Sequence, residues 1–347
     1  MITTHRIYFG DASAMKEVAA GSVQLAVTSP PYPMIEMWDE AFRSMDPAIG
    51  GALRRGDGAR AYELMHEALA RVWRELDRAL ASSGIACINV GDATRALDGA
   101  FRLYPNHVRV ADFFLRAGYD ALPPILWRKP SNKPNKFLGS GMLPPNAYVT
   151  LEHEHILVFR KGGSRPFAAR DGARRRSAYF WEERNAWFSD AWEDLKGVPQ
   201  RMSASRDRSA AYPFELPYRL INMFSVQGDL VLDPFLGTGT TALAAMAAGR
   251  SSAGYEIDPA LAPAIEARLA GAIECGRAAA ARRLSQHEAY MLGRPEARYR
   301  SKSYGFPVTT AQETDILIPI PGEMRSEGNG VYTICYEDEK FPGLKKE

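Results

Sequence analysis

Residues 230–241, LVLDPFLGTGTT, join a short apolar strand to an alanine-rich helix through a turn that holds Gly237 and Gly239. Glycine at such a turn lets the backbone approach a ligand closely, and the helix beginning at Thr240 points its free N-terminal amides toward that ligand. The helical pattern runs to Ala248 and stops at Gly249. Residues 252–257 read as the next strand. Glu256 lies nineteen residues beyond Gly237, at a strand end where a carboxylate can accept hydrogen bonds from two ribose hydroxyls.

Working outward, the same alternation recurs. Residues 24–27 read as a strand, 62–80 as a helix with Leu64, Leu69, Val72, Trp73, Leu76 and Leu80 on one face, and 85–90 as a strand after Gly84. A helix over 108–117 ends at Gly118, and 124–127 and 156–159 follow as strands. The pattern predicts a doubly wound, mostly parallel α/β sheet of the Rossmann-like kind. It divides as residues 1–162, a basic and aromatic insertion at 163–211 outside the sheet, a second half of the sheet at 212–282, and a C-terminal extension at 283–347 whose chemistry the residues do not reveal. Gly237, Gly239 and Ala242 also satisfy the dinucleotide fingerprint, so this turn alone leaves a nicotinamide cofactor and S-adenosylmethionine both open.

A chain of 347 residues, 46% hydrophobic, can bury a full core with insertions. No run approaches the ~18 apolar residues of a membrane span, and the start MITTHRIYFGDAS lacks the apolar centre of a secretory signal, so a cytoplasmic protein with no membrane partner is expected. Cys87, Cys275 and Cys335 are too scattered for a disulfide framework or a zinc site. Charge is concentrated. Between Arg128 and Arg176 eleven Lys or Arg face only Glu152, Glu154 and Asp171, a local +8 within a chain of net charge +2. A polyanion-binding face needs such a segment, although a solvated surface run has the same composition.

The segment VTSPPY, Val27 to Tyr32, tips the choice left open by the glycine turn toward S-adenosylmethionine. Two prolines stiffen the chain just after a buried strand and fix their carbonyls without offering amide donors. An amino group undergoing methylation needs that arrangement. The Ser29 hydroxyl and the Pro30 carbonyl can accept its protons and favour the nucleophilic, pyramidal form, Pro31 holds the turn rigid, and Tyr32 can stack on a base.

With both motifs in hand, the chain resembles the amino-methyltransferases of DNA, in the permuted subgroup whose catalytic motif precedes the cofactor motif, over about residues 8–267. The resemblance implies S-adenosylmethionine as cofactor, held by Asp233, Phe235, Gly237, Thr238, Gly239 and Thr240, by Glu256 at the ribose, and by Asp11 of FGDA near the adenine. Residues 213–217, PFELP, match the segment ahead of that loop, with Tyr212 where many relatives have His. The run PYPMIEMWD is similar to cytosine-amino modification methylases, among them enzymes acting on CTAG, and a Ser at position 29 usually accompanies cytosine in this family, where Asp or Asn more often accompanies adenine. The implied role is the site-specific modification enzyme of a restriction-modification system, acting on double-stranded DNA beside a cognate restriction endonuclease.

The target amine is paired inside the duplex, so its base must flip out. Direct attack on the sulfonium methyl then needs positioning and hydrogen-bond acceptance rather than a covalent enzyme intermediate. Methylation at cytosine carbon-5 would need a thiolate, typically after a proline, and none of the three cysteines follows one. Lys129, Lys133, Arg165, Arg170, Arg174, Arg175 and Arg176 are the candidate DNA-binding residues, while Tyr179, Phe180, Trp181, Trp187 and Trp192 read as the insertion's own packing. Trp127 and Lys129 could line the cleft or simply pack. His153 and His155 share a strand face but lack a third ligand at suitable spacing, so no metal is expected. Two other classes stay open: a dinucleotide-dependent oxidoreductase, which would leave VTSPPY without a task, and an inactive DNA-binding relative. An adenine target and an RNA or protein substrate stay open as well.

Overall fold

The computed structural model describes residues 1–129, 138–197, 212–294 and 297–337. Its main sheet has ten strands, numbered here in chain order: β1 (Ile2–Phe9), β2 (Val23–Thr28), β3 (Leu80–Val90), β4 (Asp120–Arg128), β5 (His153–Arg160), β6 (Ala191–Trp192), β7 (Leu230–Asp233), β8 (Ser251–Glu256), β9 (Pro321–Gly328) and β10 (Val331–Tyr336). The helices are α1 (Asp39–Met45), α2 (Pro47–Arg54), α3 (Gly58–Ala79), α4 (Asn106–Arg116), α5 (Gly172–Arg176), α6 (Trp181–Trp187), α7 (Glu215–Phe224), α8 (Thr240–Ala248), α9 (Ala262–Ala270) and α10 (Ala272–Leu292). Across the sheet the order is β6-β4-β5-β3-β2-β7-β8-β1-β10-β9. The five central strands, β3 to β1 in that order, are mutually parallel. On one side β5 pairs antiparallel with β3 and β4 antiparallel with β5, and on the other β10 pairs antiparallel with β1 and β9 antiparallel with β10.

Both faces of the central strands are covered, which is why they read as apolar runs rather than alternating ones. Ala26, Ala86, Ile88 and Leu232 pack with α3 and α4. Leu25, Val27, Cys87 and Val231 face the other way, against α7 and α8. Helix α3 starts four residues before the sequence pattern suggests, because the Asp57 carboxylate caps the Arg60 amide. All nine residues of α8 are buried. Its alanines allow close approach on every side, and no polar face is needed.

Two expectations change at the margins. The insertion does not stay outside the sheet, since Ala191–Trp192 pairs in parallel with β4 at Leu126 and Trp127. The boundary placed at residue 282 falls inside α10, and the extension beyond it completes the sheet as β9 and β10. Extension and insertion also grip each other. Buried Arg283 pairs with Glu183 at 2.5 and 2.8 Å, Glu313 accepts from the Trp181 amide, and fully buried Phe180 stacks on His287.

Candidate active site

The winding of the sheet reverses between β2 and β7, and a ligand crevice opens at the carboxyl ends of such neighbours. Strand β2 ends at Thr28, just before Ser29, and β7 ends at Asp233, with Leu232 in register with Ala26. The two sequence motifs therefore meet in one crevice although roughly 200 residues separate them in the chain.

Asp233 joins them. One carboxylate oxygen accepts from the Thr28 hydroxyl at 2.6 Å and from the Phe235 amide at 3.0 Å. The other accepts from the Thr241 hydroxyl at 2.6 Å and from the Tyr212 phenol at 3.3 Å. Burial raises its pKa, and these donors pull the other way. Donors occupy both oxygens of the carboxylate. Asp233 thus braces the cofactor loop against the catalytic strand, in place of the direct cofactor contact expected for it. Tyr212, at the position where many relatives have His, has one proton to share between Asp233 and the nearer Thr241 hydroxyl.

Gly237 and Gly239 both take left-handed backbone, φ +56° and +85°, which L side chains rarely adopt. A Cβ on Gly237 would project into open space, and the buried Thr238 hydroxyl has no protein partner among the described residues. Glu256 accepts from the Gly237 amide at 2.8 Å and from the Asp258 amide at 2.9 Å, one on each oxygen. Burial raises its pKa, and each oxygen keeps a lone pair for a ribose hydroxyl. Gly10 donates to the Glu256 carbonyl at 2.9 Å, which brings Asp11 to the same edge. There it lines a cavity of about 440 Å³ with Tyr8, Glu17 and Tyr255. Phe235 packs edge-on against Trp73 beside the loop, and Thr240 opens α8 behind it. An open glycine cradle, an unpartnered hydroxyl and a ribose-height carboxylate fit S-adenosylmethionine.

Facing the cradle, Pro30 and Pro31 are buried and hold Ser29 and Tyr32 at the mouth. Ser29 Oγ lies 2.9 Å from the Tyr32 hydroxyl, which donates to Glu154 Oε2 at 2.9 Å. Asn89 Nδ2 donates to the same Tyr32 oxygen at 2.9 Å and to Glu154 Oε2 at 2.6 Å. Lys129 Nζ closes the set on Glu154 Oε1 at 2.6 Å and lies 4.8 Å above the Trp127 ring.

The sequence pattern of the DNA methylase family matches residues 23–267. The chain belongs to that family. The methylase is 52% identical to the type II methyltransferase M.MthZI of Methanothermobacter thermautotrophicus, over 97% of this chain and 96% of that one. It is also 52% identical to M.MjaI of Methanocaldococcus jannaschii, over 77% and 91%. Among solved structures it is similar to TTHA0409 of Thermus thermophilus, crystallised with S-adenosyl-L-methionine, with TM-score 0.61, 32% identity and coverage of 77% of this chain and 94% of that one. In fold it is also similar to the PvuII DNA methyltransferase (cytosine-N4-specific), with TM-score 0.53, 19% identity, and 77% and 87% covered. The protein is an S-adenosylmethionine-dependent DNA methyltransferase, and the oxidoreductase reading falls.

Not every expected residue lies at the crevice. Lys129 pairs with Glu154 beside the crevice, while Trp127 is buried and donates to the Leu195 carbonyl. Lys133 lies outside the described residues. The arginines of the insertion sit elsewhere. Strand β5 is antiparallel, with His155 beside Val90 at the carboxyl edge and Arg160 beside Ile85, so the chain leaves it at the amino edge, on the order of 16 Å along β3 from the crevice. There Arg165 pairs with Asp229, which precedes β7, at 2.7 Å. Arg175 pairs with Asp315, Arg174 covers the Phe167 ring, and the Arg176 carbonyl accepts from the Leu317 amide. Arg170 is exposed on the same segment. This run faces away from the catalytic motif, contrary to its expected place along the target DNA.

Asn89, Gly91 and Glu154 escaped sequence reasoning. The glycine is required by contact, since a Cβ on Gly91 would lie 2.9 Å from the Tyr32 ring. The fold also adds Asp92 and His107 to His155, with ligand atoms within 4.8 Å. The two imidazoles stack at 4.0 Å and 18°, and one ion cannot lie in both of two stacked ring planes. Burial and the neighbouring His107 lower the His155 pKa to about 4.

Proposed function

We propose that this methylase transfers a methyl group from S-adenosylmethionine to the exocyclic N4 amine of a cytosine flipped out of double-stranded DNA, as the site-specific modification enzyme of a type II restriction-modification system. The observation that carries the reading is the Ser29 hydroxyl at the head of the crevice. It is a short neutral acceptor, 2.9 Å from the Tyr32 hydroxyl, at the place where an adenine-type site more often has Asp or Asn. The type II names of the relatives at 52% identity support the modification role, and a cognate endonuclease is implied by it.

In this reading the amine lies between Ser29 and the Pro30 carbonyl, which accept its protons, and the base rests against Tyr32. S-adenosylmethionine supplies the electrophilic methyl. The chain supplies position: Asp233 fixes the distance from acceptor motif to cofactor loop, and rigid placement of two reactants can lower a barrier by ~7–11 kcal/mol. The duplex lies along the carboxyl edge, because the flipped base must reach Ser29.

Expression in a methylation-free host, followed by sequencing that distinguishes modified bases, tests the assignment. N4-methylcytosine in one short motif is expected. N6-methyladenine would overturn the base assignment, and unmodified DNA would overturn the activity.

A further inference from the structure

The direction of the hydrogen bonds around Tyr32 can be worked out from the donors alone. Glu154 Oε1 takes the Lys129 ammonium at 2.6 Å, so the carboxylate is ionised and its Oε2 can only accept. Both neighbours of Oε2 must then donate, which fixes the Tyr32 O–H and one Asn89 N–H toward it. Turning the Asn89 amide over would set its oxygen 2.6 Å from Oε2, two acceptors in contact, so its orientation is settled by chemistry. With its proton given to Glu154, the Tyr32 oxygen accepts the other Asn89 N–H at 2.9 Å and has one lone pair left, for Ser29. Ser29 therefore donates to Tyr32. Its own lone pairs are left for the crevice, apart from a long 3.4 Å contact from Asn89.

We propose that Ser29, Tyr32 and Glu154 form a proton relay whose terminal acceptor is Glu154, and that Glu154 acts on the target amine through the two hydroxyls. The proposal rests on the amino-methyltransfer reading above and names the path of the proton in that reaction. As the amine nitrogen forms its bond to the methyl carbon, the carbon–sulfur bond breaks and its electron pair stays on sulfur, leaving a neutral thioether and a positively charged nitrogen. One proton on that nitrogen passes to Ser29 Oγ while the Ser29 proton passes to Tyr32 and the Tyr32 proton to Glu154 Oε2. The methylated amine and both hydroxyls end neutral, Glu154 ends as the carboxylic acid, and it returns the proton to solvent beside the partly exposed Lys129.

The transfer has to be concerted at Tyr32. Burial and the adjacent Glu154 charge raise its pKa well above the ordinary value, so a free tyrosinate is not an accessible stop. The order of the chain is also why a carboxylate on β5 is needed although it does not touch the base. Without it the Tyr32 proton has no fixed acceptor, and Ser29 can present its O–H to the amine as readily as its lone pairs. Asn89 serves as a positioning residue, holding the Tyr32 oxygen and Glu154 in line.

The test is single-turnover transfer of tritiated methyl from S-adenosylmethionine to saturating duplex DNA, in water and in D2O, with Glu154→Gln, Tyr32→Phe and the double variant. General-base assistance is worth about 10²–10⁴ in rate, so each single variant is expected to slow at least ~100-fold. The double variant should be no slower than the slower single one, because both remove the same relay. The wild type is expected to slow in D2O and the variants to lose that sensitivity, with affinities for S-adenosylmethionine and DNA unchanged. Glu154→Asp, which keeps a carboxylate, should recover part of the rate and reports separately if Glu154→Gln fails to fold. A wild-type rate in Glu154→Gln, multiplicative losses in the double variant, or an unchanged solvent isotope effect would each overturn the relay. The tritium count registers methylation of either base, so an adenine product would sink the cytosine assignment and leave this result standing.

Discussion

Replacing Gly91 by alanine should disable the site through a single methyl group. The new Cβ would lie 2.9 and 3.1 Å from Tyr32 Cε2 and Cδ2, and 3.4 Å from Glu154 Cγ. Ordinary carbon contacts fall at about 3.5–4.0 Å, so the ring must retreat by roughly 0.6–1 Å. The Tyr32 hydroxyl sits 2.9 Å from each of Ser29, Glu154 and Asn89. A shift of that size takes at least one of these bonds to about 3.5 Å or beyond, where little attraction remains. Misplacement by about 1 Å can cost ~100-fold in rate, so single-turnover methyl transfer should fall by roughly 10- to 100-fold. Overpacking of this kind costs about 1–3 kcal/mol of stability, seen as a modest drop in melting temperature. Backbone strain plays no part, because Gly91 is not among the glycines in the left-handed region. Gly163→Ala provides the control, since a Cβ there meets nothing within 4 Å. The effect should also shrink in a Tyr32→Phe background, where the hydroxyl bonds are already gone. A Gly91→Ala enzyme that transfers methyl groups at the wild-type rate would refute the contact argument.

Gly237→Val should abolish S-adenosylmethionine binding, measured by calorimetry, because the φ of +56° disfavours a branched residue and its side chain would fill the open cradle the cofactor needs; retained affinity would put the cofactor elsewhere. Fully buried His287 faces two acceptors, Glu182 at 2.9 Å and the Pro307 carbonyl at 3.0 Å, and stacks on Phe180. Burial works against its charge, but Glu182 and Pro307 outweigh it and raise the pKa. Its contribution to stability is therefore complete below the unfolded value of about 6.5 and is lost as pH rises through the higher folded value. Melting scans should show this fall in the wild type and not in His287→Gln; identical profiles would mean the imidazole is neutral. Arg174, Arg175 and Arg176 replaced together by alanine should leave the salt dependence of DNA binding unchanged, since they lie at the far edge of the sheet. The lost Arg175–Asp315 pair, partly exposed, should cost at most ~1 kcal/mol. A salt slope reduced by about three units would return the run to the DNA interface.

The sequence by itself determined what depends on neighbours in the chain. A strand, two glycines and a helix in the order of residues 230–249 specify a close backbone approach at a helix N-terminus, and SPPY after an apolar strand specifies rigid acceptors at a strand end. Local rules suffice for both, because their geometry is set within a dozen residues. Tertiary structure decided what depends on distant strands. Asn89 and Glu154 stand 65 residues apart in runs whose pattern is plainly that of strands. They meet only because β3 and β5 pair in one register, and a single polar residue in an apolar strand carries no spacing to betray its partner. Gly91 is likewise invisible until the Tyr32 ring lies against it. Strand direction decided the basic insertion. Periodicity shows that residues 156–159 form a strand but is the same for either direction, and the antiparallel placement of β5 sent Arg165 to Arg176 to the edge opposite the crevice.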